Sequence, residues 1–269
     1  MQYDPIKRTL GRFFSGPPFM RRILYFLLDI LLLRSWHINK ILKKIFVSLP
    51  ENASILDAGC GFGQYTWRMS RMNRRSRIKG VDINQDHIDD CKKFFESSEM
   101  NERVSFESCD LTKLADRELY DLILAVDVME HIREDEKVFL NFYNALKNKG
   151  YILISTPSDK GGSDVHHENE ISFIDEHVRE GYGTDEISQK LMVAGFSNIR
   201  IAYTYGKPGS ISWHLSMKYP VRMLNFSKLF FLVLPVYYLL FFPIALILNI
   251  FDLYMTHKSG TGLLVTANK

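Results

Sequence analysis

The sequence predicts an α/β fold, a doubly wound and mostly parallel sheet, and three observations predict it. Short apolar runs alternate with helical patterns from Ser54 to about Thr156. A glycine-rich turn follows the first run, and acidic residues recur just after the later ones. Strand-length runs separated by helices of ten or so residues mean βαβ units, each with a right-handed crossover.

Residues 1–50 come first and stand apart. They hold nine Lys and Arg against Asp4 and Asp29, a local charge of +7 in a chain of net charge +3. After the turn Gly16-Pro17-Pro18, the stretch Phe19 to Phe46 reads as one or two helices. Asp29 makes Ile23–Leu33 too short and too polar to cross a bilayer, which takes about 20 apolar residues. Either core packing or a basic-flanked surface helix accounts for it. The apolar run starts only after Arg22 and has no small-residue cleavage site behind it, so no signal peptide is expected. Three cysteines (Cys60, Cys91, Cys109) without CxxC spacing fit a reduced protein. A cytoplasmic chain is the expectation.

The elements then follow in order. Ile55-Leu56, Ile78–Val81, Val104–Phe106, Leu122–Val126 and Tyr151–Ser155 read as strands; Gln64–Met72, Gln85–Phe95 and Glu134–Leu146 read as helices between them. A helix at Asp185–Ala194 stops at Gly195, a strand follows at Ile199–Tyr205, and a short one closes the chain at Gly262–Ala267. An apolar fraction of 46% with 24% charged residues suits a folded body, not a disordered one.

The chemistry gathers where strands end. Ile55-Leu56-Asp57-Ala58-Gly59-Cys60-Gly61-Phe62-Gly63 is a buried strand running into a glycine-rich turn and then a helix. Glycines let the backbone turn sharply and lie against a ligand. The spacing is GxGxG rather than the GxGxxG that suits a dinucleotide pyrophosphate. Asp82 follows the second strand, where a carboxylate can accept from ribose hydroxyls. Asp110 follows the third, where one can accept from an adenine amine, and Asp127-Val128-Met129-Glu130-His131 follows the fourth. Ligands in open α/β sheets bind on that edge.

The series Leu56–Gly63, Val81-Asp82, Cys109-Asp110-Leu111, Tyr120–Ile132 and Leu146–Pro157 resembles the ordered motifs of class I S-adenosylmethionine-dependent methyltransferases, small-molecule type. The resemblance covers about half the chain. It implies a seven-stranded sheet with a final antiparallel hairpin, and S-adenosylmethionine as cofactor. Gly59, Gly61 and Gly63 would then pass under the methionine part, with Asp57 facing its amino group. Asp82 and Ile83 would take the ribose side, Asp110 and Leu111 the adenine, and Asp127 would complete the cofactor edge.

Three candidate catalytic residues are expected: His131, His177 and Arg179. A hydroxyl nucleophile is helped by a general base, and histidine has the right pKa range. Asp127-x-x-Glu130-His131 resembles the Glu-x-x-Glu-His segment of ubiquinone-pathway O-methyltransferases, which is associated with a divalent metal; Asp replaces the first Glu here, and no metal ligand set is assigned. Catalysis at His131 stands beside a simpler role for Glu130 and His131, pinning the helix that begins near Arg133. The polar segment from His166-His167-Glu168-Asn169 to Glu176–Tyr182, flanked by Gly161, Gly162, Gly181 and Gly183, suits a lid over the acceptor. A solvated loop is the plainer account. His177 and Arg179 form its expected substrate-facing pair.

Leu229–Phe251 carries no charge over 23 residues, long enough to cross a bilayer. It contains Pro235 and Pro243, and the strands on both sides belong to one sheet, so a single crossing contradicts the fold. Two short helices broken near either proline, returning to the side they left, are expected. The division is then 1–50 a basic, apolar helical extension, 51–207 the core, 208–258 a membrane-contacting insertion, and 259–269 the last core strand. Together these predict methylation, at oxygen, of a lipid-like or membrane-linked small molecule (a quinone precursor, glycolipid or lipid-linked sugar) by a cytoplasmic protein held peripherally on a membrane. No basic stripe interleaved with aromatics points to nucleic acid. A soluble enzyme for a polar metabolite or sugar, dimerising through the insertion, is the alternative; a cofactor-binding, membrane-tethered protein without catalysis is another.

Overall fold

The computed structural model describes residues 17–161 and 178–269. Seven strands form one sheet: β1 (Ser54–Ala58), β2 (Arg77–Asp82), β3 (Val104–Ser108), β4 (Tyr120–Val126), β5 (Leu146–Pro157), β6 (Ser197–Thr204) and β7 (Gly262–Asn268), in the order β3-β2-β1-β4-β5-β7-β6. The first five run parallel, and β7 lies antiparallel between β5 and β6. The expected doubly wound sheet with a closing antiparallel hairpin is therefore what the chain builds.

Alternation along β1 explains why the sheet is covered on both faces. Leu56 and Ala58 face Phe139 and Phe142 of α5 (Asp135–Ala145) and Leu191 of α6 (Thr184–Ala194). Ile55 faces the other way, with Leu42 of α2 (Leu33–Ser48), Met69 of α3 (Gln64–Met72) and Phe94 of α4 (Gln85–Glu96). Strand order reverses between β1 and β4, and the carboxyl ends of those two strands open the crevice where ligands bind in such sheets.

The N-terminal stretch forms two helices, α1 (Pro18–Leu31) and α2. Pro18 starts α1 at a position where its missing N–H costs nothing. Arg21 is buried and ties α1 to the glycine loop: Nη2 donates to the Phe62 carbonyl at 2.7 Å and Nη1 to the Asp90 carbonyl at 2.9 Å. The Tyr25 hydroxyl also donates to the Phe62 carbonyl. Asp29 accepts from Gln64 Nε2 at 2.9 Å and pairs with Arg68, both on α3. Packing on the core thus accounts for the inner side of these helices.

Between β6 and β7 the chain makes α7 (Lys207–Trp213), a π turn (His214–Lys218), α8 (Tyr219–Phe226), a 3-10 turn (Lys228–Leu232) and α9 (Leu234–Tyr254). The chain reverses at Ser227–Val233, as the return to one sheet demands. The expected break at Pro243 is absent: that residue lies inside a continuous 21-residue helix, while Pro235 sits harmlessly in its first turn. Asp252 anchors α9 to the body. Its buried carboxylate accepts from His37 Nε2 at 2.9 Å, Gly209 N at 3.0 Å and Tyr205 N at 3.2 Å, and lies 3.1 Å from His257 Nε2. Burial works to raise this carboxyl, but His37 and His257 outweigh it and hold the pKa below the ordinary range.

Candidate functional site

The glycine loop leaves β1 with positive φ at all three glycines: +74° at Gly59, +50° at Gly61 and +77° at Gly63. Left-handed backbone is where side-chain-bearing residues are strained. The Gly59 and Cys60 amides both donate to the Val81 carbonyl at 2.8 Å, which locks the turn onto β2. A Cβ on Gly59 would lie 2.1 Å from Val128 Cγ2, whereas one on Gly61 would meet nothing within 4 Å. So Gly59 is a packing necessity, and Gly61 borders open space.

Asp82 joins this loop to the next. Its Oδ2 accepts from Gly61 N at 2.9 Å and its Oδ1 from Asn84 N at 2.9 Å. Ile83 beside it is exposed. Asp110 begins a 3-10 turn (Leu111–Lys113), accepting from the Thr112 hydroxyl at 2.8 Å and amide at 3.0 Å, and these bonds hold its carboxyl below the ordinary range. The Leu111 side chain packs into the core and its carbonyl accepts from Asn141 Nδ2. Any adenine contact at Leu111 falls to backbone or to the edge of the side chain. Asp57 is buried under the loop, with Thr66 Oγ1 donating to it at 2.5 Å; burial pushes its carboxyl up to about 7.

After β4, Asp127 adopts φ +50° and pairs with Arg34 from the start of α2. The Arg34 amide donates to the Tyr205 hydroxyl at 3.0 Å. Burial disfavours the Arg34 charge, yet the Tyr65 and Tyr205 phenols and Glu130 hold its pKa above the usual value. Glu130 and His131 lie on the 3-10 turn Met129–His131. Glu130 is buried; its Oε2 accepts from Thr156 Oγ1 at 3.1 Å, its Oε1 makes no hydrogen bond, and burial raises its pKa. The N-cap of α5 is Glu134, whose side chain makes no capping hydrogen bond.

Arg179 does not stand free to meet an acceptor. Its Nη1 donates to Asp135 Oδ2 at 2.5 Å and its Nη2 to the Ile132 carbonyl at 2.9 Å. Lys190 Nζ and the Tyr182 hydroxyl reach the same Asp135 oxygen at 2.7 Å each. That hub fastens the segment after residue 177 to α5. His177, and the His166–Glu176 part of the expected lid, lie outside the described residues.

Sequence reasoning missed Arg34, Tyr65 and Tyr205, which meet at the carboxyl edge from three distant stretches. The only trace was Arg34 as a lone charge within a leucine-rich run. A cleft of about 320 Å³ lined by Arg77, Val104 and Tyr120 lies at the opposite, amino edge of the sheet, away from this chemistry.

A methyltransferase-domain family model matches residues 49–191. The ubiquinone biosynthesis O-methyltransferase of Rickettsia bellii is 26% identical over 121 residues, covering 44% of this chain and 49% of that protein. The mitochondrial ubiquinone biosynthesis O-methyltransferase of Candida albicans is 26% identical over 107 residues, covering 39% and 33%. The chain thus spans a third to a half of the length of these relatives. Among solved structures, phosphoethanolamine N-methyltransferase 2 of Haemonchus contortus with S-adenosyl-L-methionine aligns at TM-score 0.56 and 18% identity, over 81% of this chain and 49% of that one. An S-adenosylmethionine-dependent methyltransferase from Mesorhizobium loti aligns at 0.52 and 16%, over 84% and 96%. These two likenesses concern the fold. The open space over Gly61, bounded by a carboxylate that already orients the loop, suits a nucleoside with an amino-acid tail. With more than half its length matched by the family model, the chain belongs to the methyltransferase-domain family, and S-adenosylmethionine is its cofactor.

Proposed function

We propose that this methyltransferase transfers the methyl group to an oxygen of a lipid-like small molecule, working from the cytoplasmic face of a membrane. One observation carries the reading: the insertion that leaves and rejoins the cofactor edge shows its apolar side chains to the outside. Leu239 on α9 is 75% exposed and Leu232 before it is 80% exposed. Among the described residues α9 is the one helix long and apolar enough to cross a membrane. Monomeric soluble proteins rarely leave so much contiguous apolar surface uncovered. The likeness to ubiquinone biosynthesis O-methyltransferases over 121 residues supports a quinone-precursor class of acceptor without fixing it.

Bound at the loop, S-adenosylmethionine supplies an electrophilic methyl on a sulfonium. The rest of the task is the protein's. In this reading Asp57 faces the cofactor's amino group, Gly59, Gly61 and Gly63 lie under its methionine part, and Asp82 with Ile83 meets the ribose. Asp110 and Leu111 border the adenine, and Asp127 closes the edge. His131 would take the proton from the acceptor hydroxyl as its oxygen bonds the methyl carbon and sulfur departs with the electron pair of the carbon–sulfur bond. His177 helps to orient the acceptor, while Arg179 acts as a positioning residue through Asp135.

The test supplies full-chain protein, bound to vesicles carrying a cellular lipid extract, with methyl-labelled S-adenosylmethionine. Label entering the organic-extractable fraction is expected, lost with Asp82→Ala, which should also weaken S-adenosylhomocysteine binding by about 10- to 100-fold in calorimetry, a loss of ~1.4–2.8 kcal/mol. Label found only in water-soluble products overturns the lipid-like acceptor and favours a polar metabolite. Tight cofactor binding with no labelled product in either fraction favours a non-catalytic tethered protein.

A further inference from the structure

The amphipathic logic of α1 is inverted. Its buried residues are Arg21 and Tyr25, one turn apart, both bonded to the glycine loop. Its outward positions are Phe19, Ile23, Phe26 and Leu27, at the i, i+4, i+7 and i+8 spacing of one helical stripe. Ile23 is 52% exposed and Phe26 62%. An arginine kept inside while four large apolar side chains face out is costly in water alone.

Two features say what covers this stripe. The first is continuity. Leu31, Leu32 and Leu33, at the α1–α2 joint, line one narrow crevice together with Trp213, Ser216 and Met217 of the insertion and Asn249 of α9. The C-terminal end of α1, toward which its stripe runs, therefore adjoins the insertion. The second is charge. From Lys207 to Phe251 the chain carries Lys207, Lys218, Arg222 and Lys228 and no acidic residue, and on the outer side of α1 from Pro17 to Leu28 the one charge is the exposed Arg22. A surface that is apolar and only cationic complements an anionic lipid leaflet, and two copies of it would repel one another.

We infer that α1 is the second half of a lipid-docking surface, entering the same leaflet as α9. This rests on the membrane reading above and adds to it an element and an orientation. Docking is in plane, not across: α9 keeps Ala245, Asn249 and Asp252 buried against the protein, and the Tyr237 and Tyr238 hydroxyls donate to the carbonyls of Leu215 and Ser216. A spanning helix would have to leave those partners. Because β6 ends at Thr204 beside Gly262 of β7 and Pro157 of β5, the insertion emerges from the same sheet edge that holds the glycine loop. Both docking helices then flank the cofactor edge, and the acceptor reaches it without crossing bulk water.

The experiment is co-sedimentation of full-chain protein with vesicles of phosphatidylcholine and phosphatidylglycerol at seven to three. Wild type should pellet, and Ile23→Asp with Phe26→Asp should lower partitioning tenfold or more, in line with two apolar side chains withdrawn from lipid. S-adenosylhomocysteine binding measured alongside should be unchanged, which certifies the fold. If that variant fails to bind it, Ile23→Ser with Phe26→Ser decides on the same two readouts. Variants that bind cofactor and still pellet like wild type overturn the role of α1 alone. Wild type that stays in the supernatant overturns the membrane reading beneath it.

Discussion

β1 and α9 draw on the same apolar residue types, but the molecule treats them in opposite ways. Ile55, Leu56 and Ala58 are wholly buried, each between two helix-covered faces, and their strand ends in glycines held by β2 through Val81 and Asp82 and packed on Val128. Leu239, Leu240 and Ile247 on α9 face out, and one narrow stripe ending in Asp252 holds that helix to the body. In the first region apolar burial supplies the rigidity a cofactor cradle needs. In the second, rigidity comes from a few polar contacts centred on Asp252, and the apolar surface is left for a partner. The two should respond differently to substitution.

The largest difference should appear at the loop. Gly59→Val places a branched side chain at φ +74° and drives Cβ into Val128, 2.1 Å away. Strain and overpacking together should cost ~4 kcal/mol and abolish S-adenosylhomocysteine binding. Gly61→Ala meets no atom within 4 Å, so thermal unfolding should report only the ~1 kcal/mol of left-handed strain while cofactor binding falls at least tenfold. Equal losses of stability in the two variants would mean that the space over Gly61 is not the cradle.

How much of this was legible in the sequence follows the same division. Periods of two and 3.6 residues located the strands and helices of the core, Gln64–Met72 to the residue, because local pattern and burial agree there. The insertion was harder. A proline was expected to end a helix, yet Pro243 sits inside α9 because the helix around it is long enough to absorb one lost hydrogen bond. The sequence pattern puts Asp82, Asp110 and Asp127 after the second, third and fourth strands, and the structure has them at the carboxyl ends of β2, β3 and β4. What stayed hidden were contacts between segments far apart in sequence: Arg34 with Asp127, Asp135 with Arg179 and Lys190, Asp252 with His37. No periodicity encodes a charge that becomes buried only when two distant elements meet.

The anchor itself gives the second contrast. Asp252→Asn leaves the two histidines and two amides around a neutral group, and breaking a buried network of this kind costs ~3 kcal/mol. The loss should fall on the insertion. Trypsin cleavage at Lys218, Arg222 or Lys228 should accelerate at least tenfold while cofactor affinity changes less than twofold. Since the carboxyl is held below its ordinary range, its contribution is present at neutral pH and fades as pH falls through the folded pKa. A cofactor-binding loss as large as the gain in cleavage would show that the two regions are one cooperative unit.

The smallest effect concerns Asp57, where burial raises the carboxyl to about 7 while Thr66 donates to it. Between its unfolded and folded pKa the native state binds the extra proton, so this group stabilises the fold most in acid and its contribution is lost as pH rises to about 7. The slope is at most ~1.4 kcal/mol per pH unit. A ligand ammonium facing Asp57 prefers the ionised form, so binding should release a proton. S-adenosylhomocysteine affinity is then expected to rise up to tenfold per pH unit below about 7 and level off above it. Asp57→Asn keeps an oxygen for Thr66 and should flatten the profile. A slope that survives the substitution would move the titrating group elsewhere on the edge and would leave Asp57 as a brace for α3 alone.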